Sequence, residues 1–200
     1  EKILDVAAGY KADLIVLGTH GRSGFVRALL GSVSLKLARE APCSVRVGRA
    51  GKHEGPVRLL IGNDGSPEAE AAVNAVCGRS WPPGTEARVV GVFETLASVE
   101  AVPIATGLEP SQQVHEQERL WLWDAIKLSV KKLREAGLAV SSVVEAGDPR
   151  LALVDAAKNW NASTIFVGAR GLGRVERFLL GSVSSAAVTH APCSVEIVRG

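Results

Sequence analysis

Two short stretches of this 200-residue chain set glycine and serine at a spacing suited to holding a phosphate group. The first is Gly18-Thr-His-Gly21, nine residues, then Gly31-Ser32-Val33-Ser34. The second is Gly168-Ala-Arg-Gly171, nine residues, then Gly181-Ser182-Val183-Ser184. Glycine tolerates positive φ and lets the backbone approach a ligand closely, so a G-x2-G loop can turn its amides toward a phosphate chain. A glycine-serine pair opening a helix adds free amides and the positive end of the helix dipole. The hydroxyls of Ser182 and Ser184, with Ser32 and Ser34 as their counterparts, donate to phosphate or cap the helix. The competing reading is that these glycines serve only a tight turn and close packing of helix on sheet. Asp64, directly after an apolar run and beside Asn63, can accept from a ribose hydroxyl or cap the helix starting near Ser66. Arg170 stands where the first stretch has His20, and either side chain can neutralise phosphate charge.

The elements that must position these residues follow from apolar pattern and punctuation. Pro56–Asn63 reads as a strand, and the following Asp64-Gly65-Ser66-Pro67 as a turn into the helix Glu68–Cys77. Ala87–Phe93 is a second strand, and Glu94–Pro110 reads as a long surface loop. Ser111–Gly137 is an amphipathic helix with Leu120, Trp123, Ile126, Val130 and Leu133 on its apolar stripe, closed by Gly137. Trp121 and Trp123 read as helix packing and surface cover, and the mixed charges of Lys127–Glu135 as a solvated helix face. Leu138–Val144, Thr164–Val167 and Ser194–Val198 are strands. Asp148-Pro149 opens a helix running to about Trp160, and Gly181–Thr189 is a helix. Strands that are continuously apolar and alternate with helices indicate a parallel sheet covered on both faces. In such a sheet ligands sit at the carboxyl ends of the strands, where the loops after Asn63 and Val167 both fall.

The two glycine stretches belong to a longer repeat. The segment from Ala12 aligns without a gap on the segment from Ala162, at an offset of 150 residues, with 17 identities in 38 positions. LLGSVS and APCSV are shared, and Ile3 and Asp5 align with Leu153 and Asp155. The second copy begins near Val57, so residues 1–50 are the carboxyl-terminal third of a first domain, 51–55 a linker, and 56–200 a complete second domain. A third of a domain buries too little apolar surface to fold alone, so it is expected to pack against the second copy. The absence of methionine, position 1 included, suggests that these residues are not the whole gene product.

Composition narrows the classes. The 46% apolar and 22% charged residues are ordinary for a globular domain, and a net charge of +2 from interspersed charges is not a nucleic-acid-binding stripe. No apolar run approaches the roughly 20 residues of a membrane span, and no signal peptide opens the chain. Cys43, Cys77 and Cys193 read as buried thiols of a reducing compartment, and the four histidines lack metal-ligand spacing.

With these residues in view the chain resembles the universal stress proteins, in their ATP-binding branch. The resemblance rests on G-x2-G-x9-G-S in both copies, on the flanking LLGSVS and APCSV, and on Asn63-Asp64-Gly65-Ser66. It implies a doubly wound, Rossmann-like α/β/α sandwich with a five-stranded parallel sheet in the order 3-2-1-4-5. It implies ATP as ligand, with or without Mg2+, or AMP or ADP. The phosphates would lie on Gly168, Gly171, Gly181 and Ser182, helped by Val183 and Ser184. Asp64 would hold the ribose and Val92 would meet the adenine. The first copy would repeat the phosphate grip with Gly18, Gly21, Gly31, Ser32 and Ser34, without its own aspartate and adenine strands. The last strands, Ser44–Val47 and Ser194–Val198, would pair in a homodimer or an intramolecular pseudo-dimer. The implied protein is a cytoplasmic stress-response module with at most weak ATP hydrolysis.

Other readings find less support in the residues. An adenine-nucleotide-hydrolysing or adenylating enzyme of the related α/β group would carry an S-G-G-x-D-S loop where this chain has NDGSPEAE. No Ser-His-Asp arrangement or paired carboxylate stands out, and G-x4-G-K-[ST] is absent. A flavin or electron-transfer subunit of similar topology would be yellow, and this protein is expected to be colourless.

Overall fold

Ser66 and Asp148 start helices as their residue types predict. Each sits in extended backbone before a proline; Ser66 accepts from the Ala69 amide and Asp148 from the Arg150 amide. The computed structural model describes residues 2–19, 31–49, 55–93, 112–172 and 180–200. In chain order these form α1 (Lys2–Tyr10), β1 (Leu14–Gly18), α2 (Ser32–Glu40), β2 (Ser44–Gly48), β3 (Arg58–Gly62) and α3 (Pro67–Cys77). There follow β4 (Glu86–Phe93), α4 (Gln112–Glu135), β5 (Ala139–Ala146), α5 (Pro149–Asn159), β6 (Thr164–Gly168), α6 (Ser182–His190) and β7 (Ser194–Val198). The expected loop Glu94–Pro110 lies outside the described residues.

The strands make one seven-stranded sheet in the order β1-β2-β7-β6-β3-β4-β5. Every neighbouring pair is parallel except β2 and β7, which are antiparallel. Taken alone, the five strands of the second copy run in the predicted order, 3-2-1-4-5. The expectation of five strands is corrected to seven, because β1 and β2 of the first copy extend the same sheet across its β7 edge.

Side chains alternate across the strands, so the sheet feeds two cores. Leu60, Ile165, Val195 and Ile197 meet Leu153, Ala157, Ala187 and Val188 of α5 and α6 on one face. Leu59, Ile61 and Phe166 meet Val73, Val76, Ile126 and Leu133 of α3 and α4 on the other. Each such Leu, Ile, Val or Phe side chain withdrawn from water contributes about 1.5–3 kcal/mol, and each alanine less. The apolar stripe of α4 differs from the periodicity reading at one end. Leu122, Ile126, Val130 and Leu133 are buried, whereas Leu120 faces solvent, because the stripe passes one residue further round the helix. Gly137, at φ +85°, ends the segment as predicted.

The β2–β7 seam joins the copies by exchanged contacts. Arg49, just past β2, donates to the carbonyls of Val188, Thr189 and Cys193 at the carboxyl end of α6. Arg199, its equivalent past β7, donates to Ala38, Arg39 and Cys43 at the carboxyl end of α2. A guanidinium at the negative end of a helix satisfies orphan carbonyls and complements the dipole. Each copy therefore caps the other's last helix.

Candidate functional site

β3 sends the chain to β4 on one side, and β6 lies on its other side, so the carboxyl ends of β3 and β6 open a crevice at the switch in strand order. A cavity of about 420 Å³ occupies it, within the size range of small-molecule sites. Its walls come from the ends of β3, β4 and β6, from Pro149 and Leu153 of α5, and from the first turn of α6. Of the residues singled out in the sequence, Asn63, Asp64, Val92, Gly168, Arg170, Gly171, Gly181, Ser182, Val183 and Ser184 all line it.

The turn after β3 is tied down by its own polar side chains. Asn63 is buried; its Nδ2 donates to Ser129 Oγ of α4 at 2.7 Å and its Oδ1 accepts from the Gly65 amide at 2.7 Å. Gly65 has φ +78°, and the ring of Trp121 covers the place a Cβ would take. Asn63 thus builds the turn with both ends of its amide, and presents backbone rather than a free side chain to the cavity. Asp64 Oδ1 accepts from the Ser66 amide at 3.0 Å. Its Oδ2 accepts from the Leu172 amide at 3.1 Å, which draws the loop after β6 against the turn after β3. The cap of α3 is Ser66, so the helix-cap alternative for Asp64 is corrected.

The glycines work through close approach rather than positive φ, since neither Gly168, Gly171 nor Gly181 adopts it. A Cβ on Gly168 would stand 2.7 Å from backbone and side-chain carbons of Glu68, so the absent side chain lets α3 rest on β6. A Cβ on Gly171 would collide with Asp64 Oδ2. Gly181, at φ −62° and ψ 159°, precedes α6 with no side-chain cap. The amides of the first turn, Ser182, Val183 and Ser184, therefore have no intrahelical acceptor and meet the cavity with the positive end of the dipole.

Two expected roles change. Ser184 neither caps α6 nor leaves its proton for a ligand, because the buried Oγ donates to the Gly168 carbonyl at 2.6 Å. Arg170 is paired with Glu68 at 2.9 Å, both side chains about three-quarters buried. Glu68, Leu172, Pro149 and Leu153 were not singled out from the sequence. The Asp148-Pro149 helix start, two residues past the end of β5 and so at the same end of the sheet as the other loops, is the one signal that pointed to α5.

The first copy repeats part of this arrangement. Gly31 precedes α2 without a side-chain cap, Ser32 opens that helix, and Ser34 Oγ donates to the Gly18 carbonyl at 3.0 Å. None of these residues lines the cavity above. No described atom comes within 4 Å of a Cβ placed on Gly18, where its equivalent Gly168 meets α3. Gly21 lies outside the described residues. Among the described residues no cluster of metal-ligating side chains occurs, and no helix is long and apolar enough to cross a membrane.

Comparison with known proteins agrees with this fold. The model of the universal stress protein family matches residues 1–49 and 57–199. A universal stress protein of Mycobacterium tuberculosis is 34% identical over 193 residues, covering 94% of this chain and 62% of that protein. The chain thus spans under two thirds of that relative's length. Among solved structures, a universal stress protein from Archaeoglobus fulgidus superposes with a TM-score of 0.58 at 24% identity, covering 99% of this chain and 64% of that one. A universal stress protein in complex with cAMP superposes with a TM-score of 0.52 at 18% identity, covering 73% of this chain and 98% of that one. The chain belongs to the universal stress protein family.

Proposed function

We propose that the cavity of the second copy binds an adenine nucleotide, ATP foremost, and that the protein acts as a nucleotide-responsive regulatory module. The observation that carries this is the uncapped first turn of α6 opening on a cavity that also holds a ribose-competent carboxylate and an apolar wall. The phosphates fit the amides of Ser182, Val183 and Ser184, where the helix dipole favours an anion, and the loop past Ala169, whose own amide is taken by the Val198 carbonyl. Asp64 keeps spare lone pairs after accepting from Ser66 and Leu172, enough to take a ribose hydroxyl. Val90, Val92 and Leu153 offer the apolar surface on which adenine packs. The cAMP complex of a structurally similar universal stress protein supports an adenine nucleotide as the ligand class. ADP and AMP share the same contacts with fewer phosphates, and a Mg2+ ion would enter with the triphosphate.

Asp64→Ala tests the assignment. Because Ser66 caps α3, the substitution should weaken ATP binding about tenfold or more while leaving the melting temperature within a few degrees. Loss of stability with unchanged affinity in calorimetry would refute the ribose assignment.

A further inference from the structure

The β2–β7 seam has an approximate two-fold axis, and only one of its paired positions differs in charge between the copies. The register pairs Val45 with Ile197, Arg46 with Glu196 and Val47 with Val195. With the 150-residue offset of the repeat, Arg46 and Glu196 are equivalent residues facing each other on the axis itself. Around them the seam is nearly self-equivalent. Ser44 and Ser194 each accept from the amide of the other copy's arginine, and Arg49 and Arg199 each cap the other copy's helix. Valines and one isoleucine fill the flanking pairs. These contacts would serve two like copies as well as two unlike ones, so they cannot choose a partner.

The residues on the axis can. Glu196 is fully buried; its carboxylate takes a two-pronged contact from Arg79 at 2.8 and 2.5 Å and lies 3.8 Å from the Arg46 guanidinium. Arg46 also donates to Thr164 Oγ1 at 2.9 Å, so it is held over β7 and β6 rather than turned to solvent. Pairing β7 with a second β7 would set two buried carboxylates opposite each other, each keeping its own Arg79 but losing the second cation that Arg46 supplies across the seam, and pairing β2 with a second β2 would set two guanidinium groups together with no carboxylate between them. Like charges directly opposite destabilise a strand pair, and more so when desolvated. Partner choice commonly rests on such a penalty against the wrong pairing.

We propose that Arg46 and Glu196 make this edge heterotypic: the last strand of the second copy accepts the last strand of a first copy and rejects its own kind. Within the chain, the first copy is then the matched partner of the second, and association of two chains through like strands is disfavoured at the axis. The inference rests on the seam and is independent of the nucleotide site.

A charge-reversal cycle in the full chain tests it. Arg46→Glu recreates the axis of a β7–β7 seam, and Glu196→Lys recreates the like-charge axis of a β2–β2 seam. Each should lower the melting temperature and speed hydrogen exchange of the β2 and β7 amides. Arg46→Met, which removes charge without opposing it, should lower the melting temperature less than Arg46→Glu. The double reversal should be more stable than the sum of the single losses predicts, since it restores opposite charge across the axis. The repulsion that Glu196→Lys introduces against Arg79 enters the single and double variants alike and cancels from the coupling. Additive losses across the cycle, or Arg46→Met and Arg46→Glu behaving alike, would overturn the proposal. Should one single variant fail to fold, a folded double reversal supports it, and an unfolded one beside a stable Arg46→Glu chain overturns it.

Discussion

Gly168 and Gly18 occupy equivalent places in the two copies, and one substitution made at each separates the packing role of the glycine from its conformational role. A methyl at Gly168 would lie 2.7 Å from the carbonyl carbon and the Cβ of Glu68 and 2.8 Å from its carbonyl oxygen. Two of these three atoms are helix backbone and cannot rotate aside, so α3 must lift from β6 or β6 must bend. Overfilling of this sort costs about 1–3 kcal/mol, and the immobile neighbours place Gly168→Ala at roughly 2–3 kcal/mol. At about 2–4 °C per kcal/mol for a chain of this size, the melting temperature should fall by roughly 4–12 °C. At Gly18 no described atom lies within 4 Å of the added methyl. There alanine relieves the backbone entropy that glycine loses in a strand, worth about 0.5–1 kcal/mol, so Gly18→Ala should be neutral or stabilising. Scanning calorimetry of both variants beside the parent measures the contrast. Gly168 itself lines the cavity, so a bend of β6 there should also weaken ATP binding, read by titration of the same samples. Equal losses at the two glycines, or no loss at Gly168, would refute the packing account.

Further outcomes follow from the same contacts. Ser184→Ala should cost about 1–2 kcal/mol in denaturant unfolding, because the Gly168 carbonyl loses a buried donor, yet should leave ATP affinity nearly unchanged, because the Ser184 amide stays in place. Glu68→Gln should release Arg170 toward the phosphates and raise ATP affinity by up to about fivefold in calorimetry, the scale of one partly exposed ion pair. Arg49→Ala should strip donors from three carbonyls at the end of α6 and lower stability by about 2 kcal/mol, and lysine should fail to restore it for want of the forked donors. Burial pushes the Cys193 thiol up to about 11, with Arg49 opposing the shift, so a thiol reagent at neutral pH should modify the less buried Cys77 first.

The helix starts at Ser66 and Asp148, and the placing of the loops after Asn63 and Val167 at one end of a parallel sheet, could be read in advance from short-range chemistry and the βα alternation. The strand order and the place of Val92 came from the family resemblance alone. The partners of the polar groups could not be read, because they lie far away along the chain. Nothing in GARG shows that Arg170 reaches Glu68, or that Ser184 turns its hydroxyl back to Gly168 instead of outward. Asp64 illustrates the boundary. Its position after the strand left a ribose contact and a helix cap both open, and its bond to the Leu172 amide depends on how the chain after β6 meets it. Glu196 is the clearest case: SVEIV reads as an apolar strand with one outlier. Only the antiparallel seam and the approach of Arg79, 117 residues earlier in the chain, explain a fully buried carboxylate there.

The central claim is that the first turn of α6 and the loop after β6 hold the phosphates of an adenine nucleotide. Titration calorimetry of the full chain with ATP and, separately, with adenosine tests it most directly. The account predicts saturable ATP binding at one cavity per chain, and adenosine weaker by at least about tenfold, since it forgoes the charge-assisted bonds to the Ser182–Ser184 amides. Equal affinity for the two, or no binding of ATP by the folded protein, would contradict it.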